Sequence, residues 1–165
     1  MKVLLVLCFI LLCAPGFGQK FTIPKDAKFD VAEDYEAQHE SVIAAVDYLE
    51  QTPPDQQPGY RKQVNAYLLQ WLTGTPTVTL SLDGNIVTFM EQADCFMLYM
   101  GAYARYALQE KTKDPVAANV AAINSVLSFY NANKAALGKV KALDKYQKLA
   151  DKGKLESTLK KLIEG

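Results

Sequence analysis

Histidine, cysteine and tryptophan are scarce in this chain: 165 residues include one histidine, three cysteines and one tryptophan. A single histidine rules out every metal site that needs two imidazoles, including the paired Glu-x-x-His arrangement of di-iron bundles. No Cys-x-x-Cys-His is present, which excludes covalent haem attachment. Nine glycines and seven prolines are too few for a collagen-like or low-complexity chain. Net charge is also lacking, with 18 basic residues against 18 acidic ones. A disordered chain would carry more net charge and fewer apolar residues than the 50% found here. The length fits one domain of ordinary size and not a multidomain enzyme.

Residues 1–18 read as a secretory signal peptide. Met1-Lys2 supplies the charged start, Val3–Cys13 the apolar run, and Gly16-Phe17-Gly18 a small-x-small cleavage site. The run is too short to span a bilayer, which takes about 20 residues. Cleavage after Gly18 would leave Gln19 as the new N-terminus, and the product would be periplasmic or extracellular. Lipid attachment at Cys13 wants a small residue before it, and Leu12 is not small. Cleavage would also remove Cys8 and Cys13, leaving Cys95 alone and no internal disulfide. Stability would then rest on a hydrophobic core.

Residues 19–29 form an extended lead-in, and residues 30–165 read as a single all-α domain, a compact bundle of five to seven helices. Asp30-Val31-Ala32-Glu33 has the form of a capping box. From there Val31, Tyr35, Val42, Val46 and Leu49 recur at helical spacing up to the Pro53-Pro54 stop. A second helix covers Tyr60–Leu72, and Gly74 and Pro76 end it. Glu91–Lys111 is apolar nearly all round, with a Tyr99, Tyr103, Tyr106 row. That pattern belongs to the buried middle of a bundle. Gly101, Ala102 and Ala104 would let a neighbour come close, while Arg105 and the short span argue against a membrane helix. Asp114-Pro115 opens the next helix, and Gly138 is placed to stop it. Two short amphipathic helices follow, the second after Gly153. Thr77–Phe89 is ambiguous. It reads as a β-hairpin about Asp83-Gly84, or as an extended stretch leading to a short helix near Asp83.

Chemistry-bearing motifs are sparse. Glu36 and His39 share a helix face, half of a di-iron carboxylate site, but the partner half is absent. A haem held by His39 with Met90, Met97 or Met100 has no second cue, since methionine at helical spacing fills cores. Cys95 adjoins Phe96 and Met97, so it reads as a small buried apolar residue with no base beside it. The pairs Glu33/Asp34 and Glu91/Asp94 read as solvated helix-face acids. No Gly-x-Ser-x-Gly, phosphate-cradling glycine loop or His-Glu-x-x-His occurs. No cofactor, metal ligand or catalytic residue is therefore assigned.

Charge is unevenly spread. Val31–Gln51 holds six acids and no Lys or Arg, whereas Lys134–Lys161 holds nine lysines against three acids. A basic face made of Lys139, Lys141, Lys145, Lys148, Lys152 and Lys154 would suit an anionic protein, a glycan or a membrane surface. Nucleic acid is excluded as a partner: the cluster lacks arginine and aromatic interleaving, and the chain is read as exported. The competing reading is a solvated surface whose acidic and basic ends attract each other within one molecule.

Two stretches, Trp71-Leu72-Thr73-Gly74-Thr75-Pro76 with Thr77–Asp83, and Leu137-Gly138-Lys139 through Tyr146 to Gly153-Lys154-Leu155-Glu156, resemble small exported helical proteins of Bacteroidota that have no assigned activity. The resemblance implies a bacterial envelope or extracellular location and supplies no catalytic residue. The expectation is a non-catalytic exported helical protein that binds or assembles with another macromolecule. Two alternatives remain: a carrier of a small apolar ligand beside Phe89–Tyr106, and an enzyme of unrecognised type using His39 with nearby acids.

Overall fold

A computed structural model describes residues 21–165. The expected signal peptide lies outside the described residues. Eight helices follow one another: α1 Ala32–Ala37, α2 His39–Gln51, α3 Pro58–Gly74, α4 Ala93–Glu110, α5 Pro115–Ala132, α6 Lys134–Leu137, α7 Lys141–Asp151 and α8 Leu155–Glu164. Among the described residues there is no strand, and no helix is long and apolar enough to cross a membrane.

The count exceeds the expected five to seven because two helices that look continuous in sequence are interrupted. The first break is at Gln38. A regular ladder would run from the His39 N–H to the Tyr35 carbonyl. That carbonyl instead accepts the Trp71 indole N–H at 2.9 Å and the Gln38 N–H at 3.2 Å. A side chain inserted into the ladder ends a helix. The second break is at Asn133, whose amide side chain donates to the Phe129 carbonyl at 2.8 Å. The first cap also moves. Val31, not Asp30, precedes α1, and the Asp34 carboxylate accepts from the Asp30 and Val31 N–H groups at 3.0 and 3.2 Å.

Of the two readings of 77–89, the β-hairpin does not form, and an extended stretch leads to a turn that starts at Asp83. The Asp83 carbonyl accepts from both Ile86 and Val87 N–H, at 2.9 and 2.8 Å, so the chain makes one helical turn there and continues neither as strand nor as helix. Gly84 does not adopt the positive φ that a two-residue hairpin turn requires. Burial supplies the reason: Ile86, Val87 and Phe89 are all inside. Adjacent inward-facing residues break the period of two that a strand surface needs.

α4 is the interior rod that its composition predicts. Cys95 and the unbroken run Leu98–Ala104 are buried. α4 packs most extensively on α5, then on α2, and also touches α3. The α2 contact depends on Gly101, where an added Cβ would sit 2.8 Å from Val46 Cγ2. α7 and α8 lie on the outer side of α5. α2 also touches α5 directly, so α2, α4 and α5 pack on one another, with α3 against α2 and α4, and α7 and α8 against α5.

Tyrosine hydroxyls tie the non-helical segments to this frame. Tyr60 donates to the Phe21 carbonyl at 2.9 Å and accepts from the Ile23 N–H at 3.2 Å, which anchors the described part of the lead-in. Tyr35 donates to the Phe29 carbonyl at 3.0 Å, and Tyr146 to the Ile86 carbonyl at 2.7 Å. Inside, Tyr99 donates to Asn119, whose amide reaches the Pro115 carbonyl at 2.7 Å. Most buried hydroxyls are paired, and these pairs fix loops to the helices, whereas the buried Tyr48 hydroxyl has no partner among the described residues.

Candidate functional site: a lysine face on the last two helices

α7 is amphipathic by necessity. Leu143 and Tyr146 are buried, and Ala142, Leu149 and Ala150 are half-buried against the core. The rest of its surface carries lysine together with Asp144, Gln147 and Asp151. Lys141, Lys145, Lys148 and Lys152 stand at successive steps of four, three and four, which places them along one stripe. The stripe rises by about 16 Å at 1.5 Å per residue. Lys139 precedes it, and Lys154 caps the start of α8. Gly153, at φ 63°, lets the Lys154 N–H turn back to the Leu149 carbonyl at 2.8 Å, which keeps the turn between the two helices tight.

All six lysines are exposed. Among the described residues none of them forms an ion pair. Nearby acids are otherwise engaged: Asp144 accepts from the Tyr130 hydroxyl at 3.0 Å, and Asp151 from the Gln147 amide at 2.7 Å. Like charges at i, i+4 destabilise a helix by roughly 0.2–0.5 kcal/mol per pair. The stripe therefore carries a small repulsive cost, set against the favourable place of Lys148 in the last turn of α7.

The acidic segment does not neutralise it. Asp47 and Glu50 of α2 both bind Arg105 of α4, with 2.6 Å to Glu50, and Ser125 of α5 takes the same guanidinium at 2.9 Å. Asp34 caps α1. Glu33, Glu36 and Glu40 remain exposed on α1 and the start of α2. α5 lies between α2 and the α7–α8 pair. Among the described residues no ion pair joins the acidic segment to the lysines of α7 and α8.

The other sequence candidates are not brought together. His39 is half-buried at the first residue of α2, edge-on to Trp71 with ring centroids 5.8 Å apart. Its Nε2 is buried without a hydrogen-bond partner. A cleft of about 300 Å³ lies beside it, lined by Thr77, Leu108, Lys111, Thr112 and Lys113 among others, and no carboxylate lines it. Among the described residues no three His, Cys, Asp or Glu side chains cluster as metal ligands would.

Cys95 is fully buried. Burial first, and the Asp94 carboxylate second, push its thiol up to about 11 against a smaller opposing effect of Arg61. A thiol so disposed is a poor nucleophile at neutral pH. Asp94 is engaged by Arg61, whose Nε donates to it at 2.6 Å. The same guanidinium donates to the Leu49 and Thr52 carbonyls at 3.0 and 2.8 Å and lies over the Phe129 ring. Arg61 has no sequence signal of its own. Its role exists only because the C-terminus of α2 ends beside it.

Three residues outside the lysine run, Asn85, Thr88 and Thr158, line a cleft together with Lys145. They converge from a loop and from α8, so no local spacing announces them. Protein-family models, curated proteins and solved structures offer no match to this chain.

Proposed function

We propose that this chain is an exported, non-catalytic helical protein of a bacterial envelope, and that its α7–α8 face binds an anionic macromolecule. One observation carries the reading: six exposed lysines that make no ion pair among the described residues, four of them aligned along α7 and its C-cap. A stripe of fixed positive charge attracts polyanions and accelerates their encounter in a salt-dependent way. The export half of the reading rests on the sequence of residues 1–18.

The carrier alternative receives less support. Leu98, Tyr99 and Ala104 have no exposed surface, and Phe89 stacks edge-on to Tyr99 and Tyr146. The clefts beside His39 and beside Lys145 are lined by neither Met97 nor Met100.

The test is a triple reversal, K141E/K148E/K152E, in retention on an immobilised polyanion and in a pull-down from the host envelope. Retention should fall by at least about tenfold, equivalent to about 1.4 kcal/mol. The circular dichroism spectrum and the unfolding midpoint should stay close to those of the unmodified chain. An unchanged partner list and unchanged retention would overturn the proposal.

A further inference from the structure

The cleft at Lys145 has a composition that charge alone does not require. It is an open cleft of about 390 Å³, a volume within the roughly 300–1,000 Å³ range of small-ligand sites. Lys145 supplies its one charged lining group. Asn85, Thr88 and Thr158 supply an amide and two hydroxyls, and Leu149 and Leu162 supply apolar wall. Among the described residues the side chains of Asn85, Thr88 and Lys145 make no hydrogen bond, so their polar ends are available. The Thr158 hydroxyl donates to the Lys154 carbonyl at 2.7 Å and keeps its acceptor capacity.

The cleft is held open by the fold. Tyr146, which also lines it, fixes the 84–88 loop to α7 through the 2.7 Å bond to the Ile86 carbonyl. Its ring packs edge-on to Phe89 at 6.4 Å. Asp83 Oδ1 accepts the Asn85 N–H at 2.8 Å and sets the loop tip. A positioned loop opposite two packed helices needs little ordering when a ligand arrives.

Building on the lysine-face reading, we propose that this cleft is the specificity subsite of the face and takes one acidic sugar residue of an anionic polysaccharide. The sugar carboxylate meets Lys145. Its hydroxyls exchange hydrogen bonds with Asn85, Thr88 and Thr158, and its apolar ring face rests on Leu149 and Leu162. Neighbouring acidic residues of the same polymer lie along Lys141, Lys148 and Lys152. A lipid surface would use the lysines but leave the amide and hydroxyls without a role. An acidic peptide would pair its carboxylates with the lysines but brings no ring of hydroxyls to meet Asn85, Thr88 and Thr158.

Three probes at matched ionic strength test this: polygalacturonate, polyglutamate, and vesicles containing phosphatidylglycerol. The unmodified chain should bind polygalacturonate at least about tenfold more tightly than polyglutamate, and free galacturonate should compete. An N85A/T88V double variant, altered at two exposed positions, should lose that preference while holding polyglutamate within about twofold. Equal affinity for the two polymers, unmoved by N85A/T88V, would overturn the subsite and leave the lysine face standing. Tighter binding to the vesicles, equally unmoved, would overturn it in favour of a lipid surface. Failure to bind any of the three would overturn the lysine-face reading, and the subsite with it.

Discussion

Gly101→Ala is the sharpest test of the α2–α4 interface. On helix propensity alone the substitution should stabilise α4 by about 1 kcal/mol. Packing opposes it, because the new methyl would sit 2.8 Å from Val46 Cγ2 and 3.6 Å from both Val46 Cγ1 and Leu68 Cδ1. Val46 has no exposed surface into which to turn. Nor is α2 free to retreat: Arg105 holds Asp47 and Glu50, and Arg61 holds the Leu49 and Thr52 carbonyls. Overpacking of this kind costs about 1–3 kcal/mol. Set against the helix gain, the net expectation is destabilisation by up to about 2 kcal/mol, a midpoint drop of up to about 8 °C at 2–4 °C per kcal/mol. Val46→Ala should cost about 2 kcal/mol by itself, since it removes two buried methyl groups. In the V46A background the sign of G101A should reverse, because the new methyl enters vacated space and the helix gain of about 1 kcal/mol remains. Urea unfolding followed by circular dichroism and by fluorescence of Trp71, the only tryptophan, measures all four corners of the cycle. A stabilising G101A in the unmodified chain, or the same sign in both backgrounds, would refute the close-approach argument.

Three other outcomes follow from the same structure. Arg61→Met should destabilise by about 3 kcal/mol, because two buried carbonyls lose their donor and Asp94 its partner; urea midpoints within about 0.5 kcal/mol of the unmodified chain would show that water replaces the guanidinium. Tyr67 and Tyr146 are pushed up to about 12, chiefly by burial, so the folded chain holds each phenolic proton more tightly than the unfolded chain does. Stability should be intact below pH about 10 and fall as pH rises toward 12, by up to about 2–3 kcal/mol per group. A Y67F/Y146F variant that loses as much stability between about pH 10 and pH 12 as the unmodified chain would contradict it. Cys95, buried and pushed up to about 11, should react with a thiol reagent only as fast as the chain opens; labelling at the rate of a free thiol in the folded state would place it elsewhere.

Much of the bundle was legible because its signals are local. Proline at Pro53-Pro54 and Pro115, the Asp114 cap and the 3.6-residue apolar period act within one or two turns, and each stands where the sequence puts it. Asp114 Oδ1 accepts the Val116 and Ala117 N–H groups at 2.9 and 3.2 Å. The all-round apolar composition of the central segment likewise dictates burial, since no orientation of that helix would hide only one face. The lysine stripe of α7 follows from spacing alone, because the opposite face of the same helix must go inward.

What the chain hid are decisions made across long separations. The α1–α2 break needs the Trp71 indole to arrive at the Tyr35 carbonyl from 36 residues away. The missing hairpin depends on a core that draws Ile86 and Val87 in together, and the loop that replaces it is fixed by Tyr146 from 60 residues away. Arg61 and Arg105 look like surface charges until the end of α2 is laid beside them. The cleft at Lys145 has no counterpart in any local pattern. Its amide, hydroxyls and ammonium come from three segments, and only tertiary packing, which minimises exposed apolar area without regard to sequence distance, could bring them to one place.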